Sequence, residues 1–145
     1  MSTVTKVPRS MREGKAYIDG ELVIDLITAS IVFTPEVSEK RAVGEKGKTR
    51  RWMGYDVTGT ITRYRTTPMF KKMVKKYLDS GATPTMTIVG MQDDPVADYD
   101  VAYGKDTITV EDAVVTGDIN LLDLDTEGEF VQDEIEYGGR NLIVA

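Results

Sequence analysis

Along most of this chain the apolar positions recur every second residue, and only one stretch shifts to a helical period. From Val57 to Tyr64 the sequence reads Val-Thr-Gly-Thr-Ile-Thr-Arg-Tyr. Asp56, Thr58, Thr60 and Thr62 fall on one side of a strand, and Tyr55, Val57 and Ile61 on the other. A period of two carried by β-branched residues predicts a sheet with one wet and one dry face. Thr67-Pro68 then predicts a helix start, with Thr67 as N-cap and Pro68 at the first helical position. Met69, Phe70, Met73, Val74, Tyr77 and Leu78 form one apolar stripe, and Lys71, Lys72, Lys75 and Lys76 the opposite face. Gly81 ends this helix, expected over Pro68 to Ser80, and Thr85 to Val89 returns to a strand pattern.

The flanking regions repeat the strand signal. Asp19-Gly20 separates two strand-like runs and predicts a tight hairpin. The second run continues through Asp25 to about Glu39, with Thr28, Ser30, Val32, Thr34, Glu36 and Ser38 on one face and Ala29, Ile31, Phe33 and Val37 on the other. Pro35 inside it predicts a bulge, a break or an edge. Lys40 to Arg51, with Gly44, Gly47 and several basic residues, reads as a mobile basic loop. Gln92 to Asp98 is acidic and turn-like, Tyr99 to Tyr103 a short strand, and Thr107 to Ile119 a longer one with a bulge at Gly117-Asp118. Phe130 to Tyr137 alternates Val131, Ile135 and Tyr137 against Gln132, Glu134 and Glu136. Eight to ten strands and one helix predict a mainly β fold, a sandwich or small barrel with the helix plugging one open side. A sheet face that stays polar across several strands also suits the wall of an aqueous channel.

Length and composition narrow the function classes. The 145 residues fit one domain, 13–145, preceded by a polar, basic segment, 1–12. That segment reads either as a disordered tail or as an arm ordering against a neighbouring subunit. With 41% hydrophobic and 29% charged residues the chain is ordinary for a folded protein. A net charge of −6 argues against general nucleic-acid binding, which needs clustered Lys and Arg. The absence of cysteine and histidine removes the usual ligands of zinc, copper and iron–sulfur sites, thiol nucleophiles and imidazole bases. No signal-peptide apolar segment opens the chain, and its longest apolar run, Leu22 to Phe33, is broken by Asp25, Thr28 and Ser30. A soluble intracellular product without a membrane anchor is expected.

Few constellations suggest chemistry. Asp93, Asp94, Asp98 and Asp100, and likewise Asp118, Asp123, Asp125 and Glu127, supply carboxylates for a hard cation, yet lack calcium-loop spacing and fit solvated acidic loops. Gly44-x-x-Gly47-Lys48-Thr49 has only part of a phosphate-loop pattern. The four helix lysines fit a solvated face or a docking surface. No enzyme and no cofactor are expected.

An ordered set of segments nevertheless resembles a known family. It comprises the hairpin Glu13 to Gly20, a long strand, a basic loop, Gly59-Thr60-Ile61-Thr62, and Thr66-Thr67-Pro68-Met69-Phe70 leading into the helix. Leu122-Asp123-Leu124-Asp125 and an acidic strand follow. From Glu13 to Tyr137 the chain resembles the tail-tube proteins of contractile phage tails, in particular those of defective prophages and phage-tail-like bacteriocins. The resemblance implies a structural subunit of hexameric rings stacked around a hollow lumen, driven through a target envelope by contraction of a surrounding sheath. It implies as partners further copies of the chain, sheath, baseplate and tape-measure proteins. DNA passage is possible without specific nucleic-acid binding. Production in the bacterial cytoplasm and release on lysis within a phage-like particle follow.

On this resemblance Thr28, Ser30, Thr34, Asp56, Thr58, Thr60 and Thr62, with Gln132, Glu134 and Glu136, are expected to face the lumen. Gly44, Glu45, Lys46, Gly47, Lys48 and Thr49 are expected in a loop between stacked rings, and Lys71, Lys72, Lys75 and Lys76 toward the sheath. A negative wall repels phosphates, as a DNA conduit requires. The competing reading is a monomeric barrel binding a small ligand or carbohydrate, which needs an aromatic-lined pocket around a residue such as Trp52.

Overall fold

The computed structural model describes residues 14–93 and 105–144. The proposed arm 1–12, the strand Tyr99–Tyr103 and Asp94, Asp98 and Asp100 lie outside them. The strands are β1 (Lys15–Ile18), β2 (Glu21–Leu22), β3 (Leu26–Lys40), β4 (Thr49–Tyr64), β5 (Met86–Asp93), β6 (Lys105–Val115), β7 (Gln132–Gly139) and β8 (Asn141–Val144). One helix, α1 (Met69–Ser80), follows β4. The strand order is β2-β1-β5-β6-β7-β4-β3, with β8 also paired to β6, and every pairing among the described residues is antiparallel.

β6 belongs to both layers. Its first part pairs with β5 and β8, and Val114 and Val115 pair with β7. The register with β5 slips between Met86 and Ile88, where Ala113 and Val110 are the successive partners, and Asp112 takes a φ of 52°. This bulge bends the strand from one sheet into the other, a usual way to turn a sandwich corner. The bulge expected at Gly117-Asp118 therefore lies at Glu111-Asp112, and β6 ends earlier than Ile119.

The layers close on one core: Ile18, Met86, Ile88 and Val110 from one, Val57, Ile61, Ile135 and Tyr137 from the other, and Phe70 from α1. The Asp19-Gly20 hairpin forms as expected. Both turn residues have positive φ, and the Asp19 carboxylate accepts from the Thr87 N–H at 2.9 Å, tying the turn to β5. β3 is an unbroken edge strand with a bulge one residue after Pro35, where Trp52 and Gly54 oppose Val37 and Glu36 and Met53 is extra.

The helix departs from expectation at its start and ends where expected. Thr67 does not cap it: the Arg63 Nη1 donates to the Thr67 hydroxyl at 2.8 Å and Nη2 to its carbonyl at 2.7 Å. Pro68 occupies the cap position without a side-chain hydrogen bond, so Met69 begins the helix. Gly81 ends it in the left-handed region, its N–H donating to the Tyr77 carbonyl at 2.7 Å. Phe70 is buried and Met69 and Met73 pack on the core, but Tyr77 and Leu78 are exposed. The helix covers the sandwich with its first half only.

Candidate functional site: a polar sheet face and an open ribbon

Three strands build one continuous polar face. Across β3, β4 and β7 the register aligns Thr28 with Thr62 and Glu134, and Ser30 with Thr60 and Glu136. Val32, Thr58 and Gly138 form the next row, Thr34 meets Asp56, and Gln132 meets Tyr64. Directly opposed residues share a face, so all ten residues assigned to the wet side in the sequence stand together. Thr62 is half-buried and the other nine are exposed. Ser30 and Thr60 join their hydroxyls at 3.1 Å. Val32 and Tyr64 are the apolar members of this face, and Tyr64 meets the Phe130 ring edge-on at 5.9 Å. A register slip at Leu26/Thr28 turns Leu26 inward onto the core, so the polar face begins at Thr28.

The opposite face is held by contacts that alternation alone did not reveal. Tyr137 reaches across Gly59 and donates its hydroxyl to the Ser30 carbonyl at 2.8 Å. A Cβ at Gly59 would lie 2.1 Å from that carbonyl and 2.4 Å from the Tyr137 hydroxyl, so the crossing needs glycine. Burial pushes the Tyr137 phenol up to about 12, keeping it a neutral donor at physiological pH.

Nearby, Arg63 is 0% and Asp133 4% exposed. Arg63 Nη2 meets the Asp133 carboxylate at 3.1 Å, and Arg65 Nε donates to its other oxygen at 2.8 Å. Arg65 also donates to the carbonyls of Leu121 and Asn120, while the Arg63 guanidinium lies 5.3 Å from the Phe70 ring centre. One buried carboxylate thus links β4, β7, the helix start and the loop 116–131. The sequence contained a signal. Arg63 continues the dry phase of Val57 and Ile61, and Asp133 that of Val131, Ile135 and Tyr137, so two opposite charges occupied core positions.

Beyond Val57, which pairs with Gly139, β4 loses β7 and continues with β3 as a two-stranded ribbon. On the side continuing the core face, the Phe33 ring lies 5.4 Å from Tyr55 and 5.5 Å from Trp52, and all three are exposed. The basic loop is shorter than expected, because Thr49, Arg50 and Arg51 pair with β3. Gly44, Glu45, Lys46, Gly47 and Lys48 remain in the exposed tip. Glu39 anchors its base, meeting Lys48 and Arg50 at 3.2 Å each. A strand follows the glycines where a phosphate loop requires a helix.

Lys71, Lys72, Lys75 and Lys76 are exposed along α1, and none forms an ion pair with a described residue. Among the described residues no group of three carboxylates is placed to hold a metal ion, and no helix is long and apolar enough to cross a membrane. A cleft of about 310 Å³ beside Thr67 and Asp133 has Phe70 as its one aromatic lining residue. Trp52 stands apart on the ribbon, so the structure does not favour an aromatic ligand pocket.

The chain is thus a mainly antiparallel sandwich with a long β3–β4 hairpin and one flanking helix. The fold matches the tube-terminating cap of the anti-feeding prophage with a TM-score of 0.72 at 11% identity, covering 100% of this chain and 95% of that one. It matches a chain of the sheath–tube complex of PVC, an extracellular contractile injection system, at 0.66 and 14% identity, covering 99% of each. In sequence the chain is 25% identical over 128 residues to the phage-like element PBSX protein XkdM of Bacillus subtilis, spanning 88% of this chain and 84% of that protein. The DUF2001 profile, described as phage tail tube protein, matches residues 8–139, and the chain belongs to that family. It is a structural subunit of a phage-type tail tube.

Proposed function

We propose that the chain forms six-membered rings that stack into the inner tube of a contractile phage-like tail, with the polar face of β3, β4 and β7 as the lumen wall. The observation that carries this reading is the alignment of ten polar side chains across three strands, in a subunit whose other sheet face is dry. Such a wall stays hydrated and presents Asp56, Glu134 and Glu136 to anything passing through, so a polyanion slides without adhering. Ring closure covers the free edge of β3, whose backbone groups otherwise invite uncontrolled pairing.

The tip 41–48 lies between successive rings, and baseplate and tape-measure proteins bound the tube. The lysines of α1 face the sheath, where exposed ion pairs worth roughly 0–1 kcal/mol each are weak enough to break during contraction. The particle is assembled in the bacterial cytoplasm and released on lysis, and the tube itself performs no catalysis. Sedimentation and negative-stain microscopy of the concentrated protein, with a tail initiator, test this directly. Hollow tubes are expected, and a persistent monomer without tubes sinks the proposal. Changing Lys71, Lys72, Lys75 and Lys76 to Glu should leave tubes intact and reduce sheath assembly on them. Normal sheathing of that variant removes the lysines from the sheath contact.

A further inference from the structure

Two uncovered surfaces lie at opposite ends of the β3–β4 hairpin. At the outer end, the ribbon exposes Phe33, Trp52 (65% exposed) and Tyr55 beside a basic tip. Residues 40–51 carry six basic side chains and one acidic one. Glu39 occupies Lys48 and Arg50, whereas Lys40, Arg41, Lys46 and Arg51 have no ion-pair partner among the described residues.

At the other end lies the loop 116–131. Its stretch 118–129 has five acidic residues and no basic one. None of the five forms an ion pair with a described residue. The loop is pinned through the carbonyls of Asn120 and Leu121 by Arg65, and its turn is closed by the Asp125 carboxylate accepting from the Glu127 N–H at 3.0 Å. That anchoring holds Leu122 (74% exposed), Leu124 (84%) and Phe130 (79%) outward. Apolar side chains fixed in place and left in water mark a contact surface.

We infer that the acidic leucine loop 116–131 of one subunit receives the aromatic, basic ribbon of a second copy. This rests on the tube reading and names the receptor for the hairpin tip. Both surfaces pair apolar side chains with charge, and the charges are opposite. They cannot meet within one molecule. The loop is tied to β4 just past Tyr64, and a strand of 16 residues rising ~3.3 Å per residue separates the ends by roughly 50 Å. A contact between two different patches on identical subunits is head-to-tail and propagates when it does not close, as a growing tube requires. A two-stranded ribbon also has little stability of its own, so a neighbouring copy supplies the covering layer that the subunit lacks.

Charge reversal tests the pairing. One variant carries Arg41→Glu, Lys46→Glu and Arg51→Glu, which leaves three basic and four acidic side chains in residues 40–51 and makes both ends acidic. The other carries Asp123→Lys, Glu127→Lys and Glu129→Lys, which leaves two acidic and three basic side chains in 118–129 and makes both ends basic. Under conditions where the unmodified protein forms tubes, each variant alone should need about tenfold more protein to assemble, as loss of about 1.4 kcal/mol per contact implies. An equimolar mixture should recover tubes, because each acidic tip then meets a basic loop and each basic tip an acidic one. Normal assembly of either variant alone overturns the inference, as does a mixture that assembles no better than its components. Absence of tubes from the unmodified protein contradicts the tube reading itself, which separates the two failures. Because the chain has no cysteine, Glu45→Cys in the tip with Thr126→Cys in the acidic loop, which leaves the aromatic and leucine side chains in place, gives a second readout. Oxidised tubes should yield a ladder of disulfide-linked multimers, and a purely monomeric product overturns the contact.

Discussion

Residues 26–34 with 57–64, and residues 35–40 with 49–56, belong to the same two strands and follow the same alternation. The first set has β7 beside it and the other sheet beneath it, so Val57 and Ile61 are buried. The second continues the same dry face with Tyr55 and Trp52, against which Phe33 packs at the boundary, but has neither cover, and these aromatic side chains remain in water. Hydrophobic patterning marks a face for burial without saying who buries it. In the inner half the chain itself does so; in the outer half the pattern extends past what one subunit can cover. For a tail-tube subunit, the uncovered half is where an assembly partner is written into the sequence.

That comparison predicts large fold-stability effects in the inner half and small ones in the outer half. Asp133→Ala leaves the buried Arg63 without its counter-charge and releases Arg65 from the loop. The expected loss is about 3–5 kcal/mol in urea unfolding of the dissociated subunit, and a loss below about 1 kcal/mol would show that the charge lock is dispensable. Phe70→Ala empties the core under Arg63, with an expected cost of about 3–5 kcal/mol. A much smaller loss would mean the helix start repacks freely.

Tyr137→Phe removes one hydrogen bond over Gly59 and should cost about 0.5–1.5 kcal/mol near neutral pH. It carries a pH signature as well. The phenol is raised from 10.0 unfolded to about 12 folded, so its stabilisation is complete below pH 10 and is lost as pH rises toward 12. The variant should lack that part of the alkaline decline, and an unchanged alkaline profile argues against a buried neutral phenol. Smallest for the fold is Trp52→Ser, whose ring contacts only the open ribbon. Unfolding of the isolated subunit should shift by no more than about 0.5 kcal/mol, while assembly falls sharply. A large loss of subunit stability would place Trp52 in the subunit's own core and erase the distinction between the halves.

Alternation made much of this legible. Ten polar residues were placed on one side of three strands, and the register does bring them onto one face, because side-chain direction in a strand follows the period with little interference from context. The helix start followed a different rule. Thr67 has the residue type of an N-cap, but buried Arg63 takes both its hydroxyl and its carbonyl, a tertiary demand that outweighs capping. The stripe through Tyr77 and Leu78 correctly marks the helix as amphipathic, yet the core ends before them. The Arg63–Asp133 pair was readable only by treating a charge in a dry phase as information; residue-by-residue polarity hides it. The basic loop was drawn too long because Arg50 and Arg51 look like loop residues, although both pair with β3 in an exposed ribbon where charge carries no penalty.

The most direct measurement concerns where the polar face goes on assembly. Thr58 is exposed at the middle of that face and Lys72 lies on the opposite side of α1 from its apolar stripe, and the chain has no cysteine to interfere. Single Thr58→Cys and Lys72→Cys proteins, labelled with a bulky thiol reagent before and after tube formation without sheath, report the two environments. If β3, β4 and β7 wall the lumen, Cys at position 58 reacts in dissociated subunits and is protected in tubes, whereas Cys at position 72 reacts in both. Equal labelling of position 58 before and after assembly would place the polar face on the outside and contradict the account.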